Sequence, residues 1–161
     1  MSAARPAPGF ALAHPAHALA LGFGAGLVPR APGTAGTLVA WPFGWWLSGA
    51  GAEIVFPLVA LLFLLGVWAC GLTGRHLGAH DHGAMVWDEI VAFLLVLAVL
   101  PRSFAWQAAA FVLFRAFDIA KPPPIRQFER HFRGGFGVMG DDLIAAGYVL
   151  LVLALFRRLY F

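Results

Sequence analysis

"IVFPLVALLFLLGVWACGLTG", residues 54–74, carries no charged side chain from end to end. About 20 apolar residues cross a bilayer, so this stretch has the length of a full span. Four more charge-free stretches, 31–52, 90–101, 103–114 and 143–156, flank it. They are shorter on average and read as tilted or partial spans lengthened by snorkelling arginines at their ends. The chain as a whole is 61% hydrophobic and only 12% charged, with a mean hydropathy of +0.81. Soluble globular domains carry about 25% charged residues. So few charges cannot cover the surface of a water-soluble domain of this size, and lipid is the economical solvent for much of it.

Turn signals divide the chain. "SGAGAE" (48–53) joins the first two apolar segments, "GRHLGAHDHG" (74–83) follows the second, and Pro101-Arg102-Ser103 splits the third from the fourth. "DIAKPPPIRQFERHFRGGFGVMG" (118–140) precedes the last. Five helices follow, at 37–50, 54–73, 88–100, 103–117 and 141–157. The expected fold is therefore all-α, an integral membrane bundle of about five short helices in one domain spanning 1–161. Residues 1–20, broken by Pro8 and Pro15, read as a mobile tail leading into an interfacial helix, and not as a cleaved signal.

Antiparallel threading puts Arg5, Arg30, Arg75, Arg115, Lys121, Arg126, Arg130 and Arg133 on one side. Arg102, Arg157 and Arg158 fall on the other, so the first side is expected to face the cytoplasm. The scattered arginines suit anionic lipid headgroups and not nucleic acid. Cys70, alone in an apolar run, reads as a buried, inert thiol.

The chain has eight carboxylates. All but Glu53 thread to the cytoplasmic side, and Asp81, Asp88, Glu89, Asp118, Asp141 and Asp142 sit at or beside helix ends. Acids beside a membrane are costly unless paired, hydrated or bound to a cation. Asp88-Glu89 and Asp141-Asp142 also suit the first turns of helices, where the dipole favours acids, and Asp118 has the spacing to pair with Arg115 or Lys121. Taken together, a set this large in so acid-poor a chain calls for positive charge, and oxygen-only donors suit Mg2+ better than zinc or iron. His76, His80 and His82 surround Asp81 without the glutamate of a zinc-protease helix, and at least one of them is a candidate partner for a phosphate or carboxylate. Lys121 and Arg126 flank a triple proline that reads as a stiff, extended strap, presenting cations of the kind that bind phosphate. Were the acids a cation or proton pathway instead, as in a small cation- or proton-coupled transporter, they would lie mid-helix along a pore.

Three ordered blocks carry a resemblance: "GLVPRAPGTAGTL" (26–38), "HDHGAMVWDEIV" (80–91) and "FRAFDIAKPPPIRQFERHFRGGFGVMGDDLIAAG" (114–147). Across roughly residues 20–155 the chain resembles the bacterial phosphatidylglycerophosphatase A family. Pro123 and Ala92 stand where the family pattern has Trp and Gly, and neither change removes a charge. The resemblance implies a multi-pass, Mg2+-dependent enzyme of the inner membrane, its active site formed by cytoplasmic loops. It would hydrolyse a phospholipid substrate, phosphatidylglycerophosphate, to phosphatidylglycerol and phosphate. On this reading Asp81, Asp88, Glu89, Asp118, Lys121 and Arg126 are the catalytic candidates. Glu89, Asp118, Asp141 and Asp142 are the expected metal ligands. Thr34, Thr37, Arg30 and His82 are the expected substrate contacts, with α-helical N–H groups near Thr34 facing the phosphate. The chain lacks a Cys-x5-Arg loop, a haloacid-dehalogenase-type Asp-x-Asp stretch and the Asp-Gly…Asp pattern of CDP-alcohol transferases.

Overall fold

The computed structural model describes residues 6–160. These form eight α-helices and one 3-10 turn: α1 (Pro8–Leu12), α2 (Pro15–Ala20), the turn Gly22–Leu27, α3 (Pro32–Leu47), α4 (Ala52–Leu77), α5 (Trp87–Val99), α6 (Phe104–Ala120), α7 (Ile125–His131) and α8 (Gly134–Tyr160). No strand occurs among the described residues.

The bundle is built round α5. Its Val91, Phe93, Val96 and Leu97 are wholly shielded and Ala92 nearly so, because a helix that is apolar on all sides has no face to offer water. The helices α3, α4, α6 and α8 all pack on it. Taken in chain order, α3, α4, α5, α6 and α8 alternate in direction, as the threading expected. At one end Arg102, just before α6, donates to the carbonyl of Trp46 at the end of α3 (3.0 Å), while Trp106 of α6 meets Phe156 of α8. At the opposite end Arg115 of α6 meets Glu89 of α5.

Two helices, Ala52–Leu77 and Gly134–Leu159, are long and apolar enough to cross a membrane by length and composition, with mean hydropathies of 2.5 and 1.9 over their most apolar 18 residues. Only 28% of the most apolar window of α4 is buried. Its Ile54, Phe56, Leu61, Leu64 and Trp68 point outward, as do Phe43 and Trp46 of α3 and Leu151 and Leu155 of α8.

Helix boundaries depart from the sequence expectation where glycine was read as loop. α8 starts at Gly134 instead of 141, because Gly135, Gly137 and Gly140 are buried packing positions and not hinges. A Cβ on Gly135 would run into the carbonyl oxygen of Val67 on α4, the close crossing that small residues permit. The expected extended strap is instead a turn followed by α7, in which Arg126 lies. Where a tail was expected, Pro15–Ala20 is a packed helix with Ala16, His17 and Ala20 buried. His17 takes part in a chain to α4: His76 Nδ1 lies 3.0 Å from His17 Nε2, and His17 Nδ1 lies 2.9 Å from the Thr73 hydroxyl, which donates to the Ala16 carbonyl. Arg5, threaded to the cytoplasmic side, lies outside the described residues.

The packing makes a contrast measurable by thermal unfolding in detergent. A Cβ on Gly44 would lie 2.6 Å from the Leu97 Cβ, so Gly44→Val should cost about 1–3 kcal/mol through overpacking. Gly147, helical with open space beside it, should gain about 0.5–1 kcal/mol as Ala. Equal midpoints for the two variants would contradict the α3–α5 contact.

Candidate active site

Five segments bring acids to one end of the bundle. Asp81 lies in the turn after α4, Asp88 and Glu89 in the first turn of α5, Asp118 near the end of α6, Glu129 on α7, and Asp141 and Asp142 in the body of α8. Because α8 begins seven residues before Asp141, these two acids are not first-turn residues, and the helix dipole does not explain them.

The acids sort into two groups, each with one oxygen per residue within 4.8 Å of the others: Asp81, Glu129 and Asp141, and Asp88, Glu89 and Asp142. Lys121 serves the first group. Its Nζ donates to Asp141 at 2.8 Å and lies 3.3 Å from Glu129 and 4.0 Å from Asp81. Burial works against the ammonium charge, but Asp141, Asp81 and Glu129 outweigh it and hold the Lys121 pKa above the ordinary lysine value. Lys121 is thus a permanent cation, not a proton donor, at neutral pH. It caps α6 in the left-handed region (φ 42°, ψ 61°), a conformation costing a non-glycine residue on the order of 1–3 kcal/mol. Asp81 is shifted up, by burial first and by Glu129, with Lys121 opposing.

The second group is deeper. Asp88 is 7% exposed and Asp142 3%. Their cationic neighbour is Arg115, whose Nη1 lies 2.8 Å from Asp118 and 3.6 Å from Glu89. Nη1 and Nε nevertheless make no aligned hydrogen bond, and neither does the buried Oε2 of Glu89. Clustered carboxylates in such surroundings are strongly unfavourable without further positive charge. Three hard oxygen donors with an unsatisfied lone pair fit a divalent cation such as Mg2+.

The glycine-rich start of α3 is pressed against this group. A Cβ on Gly33 would run into Glu89 Oε1 and sit 3.0 Å from Arg115 Nη2, and one on Gly36 would sit 2.8 Å from Val86 Cβ. The block "APGTAGT" therefore acts as a wall, closing over the first turn of α5.

The chain matches the family described as Phosphatidylglycerophosphatase A over residues 18–157. The chain belongs to the phosphatidylglycerophosphatase A family. A Phosphatidylglycerophosphatase A of Haemophilus influenzae is 47% identical over 154 residues, covering 94% of each chain. One from Escherichia coli is 45% identical over 136 residues, 83% of this chain and 78% of the relative. A Bacteroides thetaiotaomicron relative, 39% identical over 144 residues (84% and 89%), is provisionally named a phosphatidylinositol-3-phosphatase. No solved structure matches the chain.

For this member of the phosphatidylglycerophosphatase A family, the acids expected from the sequence all converge, but in a different grouping. Asp141 joins Asp81, and Asp88 joins Glu89 and Asp142. Two participants were not anticipated as site residues, Glu129 and Arg115. Glu129 lies among the arginines of a stretch read as a basic strap, and only the helical turn of α7 carries it to Lys121. Arg115 was visible as an i,i+3 partner of Asp118, whereas its reach to Glu89 on another helix was not. Thr37 is wholly buried and its hydroxyl donates to the Gly33 carbonyl (2.8 Å), so it turns into its own helix instead of toward the acids. Thr34 is half-buried in the first turn of α3. Arg30 and Arg126 are exposed, and Arg126 donates to the Ala120 carbonyl (3.3 Å). His82 is buried, its Nδ1 accepting from the Ala84 N–H (3.1 Å). His80 accepts from the Gly134 N–H (3.0 Å), at the start of α8. The acids lie at one end and not along a pore, so the distribution a transporter requires is not found.

Glu129→Gln and Arg115→Met should each lower turnover by roughly tenfold to a hundredfold, by loss of electrostatic preorganisation. Glu53→Gln, exposed at the other end of α4, should leave it unchanged. Phosphate-release kinetics on the purified variants check this. Wild-type rates in both Glu129→Gln and Arg115→Met would exclude these residues from the site.

Proposed function

We propose that this chain, as one domain, hydrolyses phosphatidylglycerophosphate to phosphatidylglycerol and phosphate at the cytoplasmic face of the bacterial inner membrane, with Mg2+ as cofactor. The observation that carries the proposal is the gathering of seven carboxylates with Lys121 and Arg115 at one end of the bundle, in a member of the phosphatidylglycerophosphatase A family. The outward apolar side chains of α3, α4 and α8 support a membrane-embedded bundle whose acid-bearing end meets the headgroup layer.

Asp88, Glu89 and Asp142 would hold the cation, with Asp118 beside them and Asp141 across Lys121. When bound, a divalent ion shields phosphate oxygens and makes a coordinated water more acidic. Lys121 and Arg115 are the cations that would bind the phosphoryl oxygens and stabilise their charge as the bond to the glycerol oxygen breaks. A water oxygen forms the new bond to phosphorus, and the departing glycerol oxygen takes a proton. Asp81, with its raised pKa and contact with solvent, is suited to pass that proton. Thr34 and the first N–H groups of α3 face the headgroup as a supporting wall, with Arg30 and Arg126 at its rim.

The test is release of phosphate from phosphatidylglycerophosphate in detergent micelles by the purified protein. Release should require a divalent ion and stop on chelation. Glu89→Gln and Asp142→Asn should each cut it by on the order of a hundredfold or more while the protein stays folded. Absence of release with every divalent ion would overturn the enzyme reading, and release indifferent to chelator would overturn the cation.

A further inference from the structure

Besides the acid cluster, the described residues enclose an apolar cleft of about 460 Å³. Val39 and Phe43 of α3 form one wall and Leu58 and Leu62 of α4 the other, with Ile90 and Leu94 of α5 as the floor. From Trp87 to Leu94 it follows α5 for about 10 Å, at 1.5 Å of rise per residue. Its upper rim is Trp87, fixed by an indole N–H donated to the Leu62 carbonyl (3.1 Å). The next two residues, Asp88 and Glu89, belong to the deep acid group.

Phe23 overhangs this rim. Its ring stands edge-on to Trp87 at a centroid distance of 6.1 Å, and 75% of the residue is exposed. Its backbone is left-handed (φ 54°, ψ 31°), which costs a bulky residue on the order of 1–3 kcal/mol. Burial of Phe23 does not offset that cost, so core packing does not account for its placement.

We infer that the cleft seats one fatty acyl chain of the lipid phosphate, with Phe23 as its lip; this rests on the functional reading above. Asp88 and Glu89 lie within about 3 Å of Trp87 along the α5 axis, at 1.5 Å of rise per residue, so a lipid whose phosphate is held there has its acyl chains at the depth of the cleft. The surrounding lipid is as apolar as the cleft, so seating the chain adds little transfer energy. Its effect is positioning: the headgroup is held at the depth and angle the acids require.

Val39→Trp fills the cleft from a partly exposed position, and Leu151→Trp on the outer face of α8 is its control. With a long-chain dipalmitoyl substrate, Val39→Trp should lower kcat/KM about tenfold through lost positioning. The chain-free glycerophosphoglycerophosphate should be hydrolysed at the wild-type rate, and Leu151→Trp should change neither. A wild-type rate on both substrates, or equal loss on both, would overturn the inference. Independently of turnover, a phosphatidylglycerophosphate with a diazirine on one acyl chain should label residues 39–47 and 58–62 of the wild type by mass spectrometry. Labelling spread evenly over the Leu151–Leu155 face would show boundary lipid only and overturn it. If the wild type releases no phosphate from either substrate, the functional reading fails, and the labelling pattern still decides the cleft.

Discussion

Seven carboxylates share one end of a bundle that is otherwise apolar, and two buried or half-buried cations stand among them. Mutual repulsion between ionised acids this close is of the same order as an ion pair at that distance and exceeds the roughly 0.3–1 kcal/mol a helix dipole supplies. The rest of the molecule is arranged around that constraint. α5 occupies the centre and delivers Asp88 and Glu89, while α6 and α8 flank it and deliver Asp118 and Asp142. Lys121, held in a strained conformation at the end of α6, satisfies the shallower group. Among the described residues the deeper group has only the shared Arg115 as its cation and keeps an unsatisfied oxygen, so it could hold a divalent ion.

Close backbone approach is what makes such an arrangement geometrically possible. Gly33 and Gly36 let α3 lie on the start of α5, and Gly135 lets α8 cross α4 tightly enough to bring Asp141 and Asp142 inward. A Cβ at any of these positions would force its neighbour, Glu89, Val86 or the Val67 backbone, to shift. The glycines of the first and third motif blocks are thus packing surfaces that set the register of the acids.

Much of this was legible in the sequence. Charge-free stretches separated by Gly, Pro and charged turns identify the helices, and an acid-poor chain makes each carboxylate informative. Antiparallel threading then brings Asp81, Asp88, Glu89, Asp118 and the Asp141–Asp142 pair to one end. What stayed hidden depends on three-dimensional register. A run such as "RGGFGVMG" is equally consistent with a loop and with a small-residue helix face, and only the contact with Val67 distinguishes them. Glu129 was masked by neighbouring arginines. The division of the acids into two groups turns on which way adjacent residues of α8 point, since Asp141 and Asp142 lie about 100° apart round the helix.

The assignment of a divalent ion to Asp88, Glu89 and Asp142 is the centre of this account, and Mn2+ binding followed by electron paramagnetic resonance in lipid nanodiscs tests it most directly. Wild-type protein should bind the ion in the absence of substrate, and Asp142→Asn should lose that binding while Glu53→Gln retains it. Undiminished binding by Asp142→Asn, or no specific binding by the wild type, would contradict it.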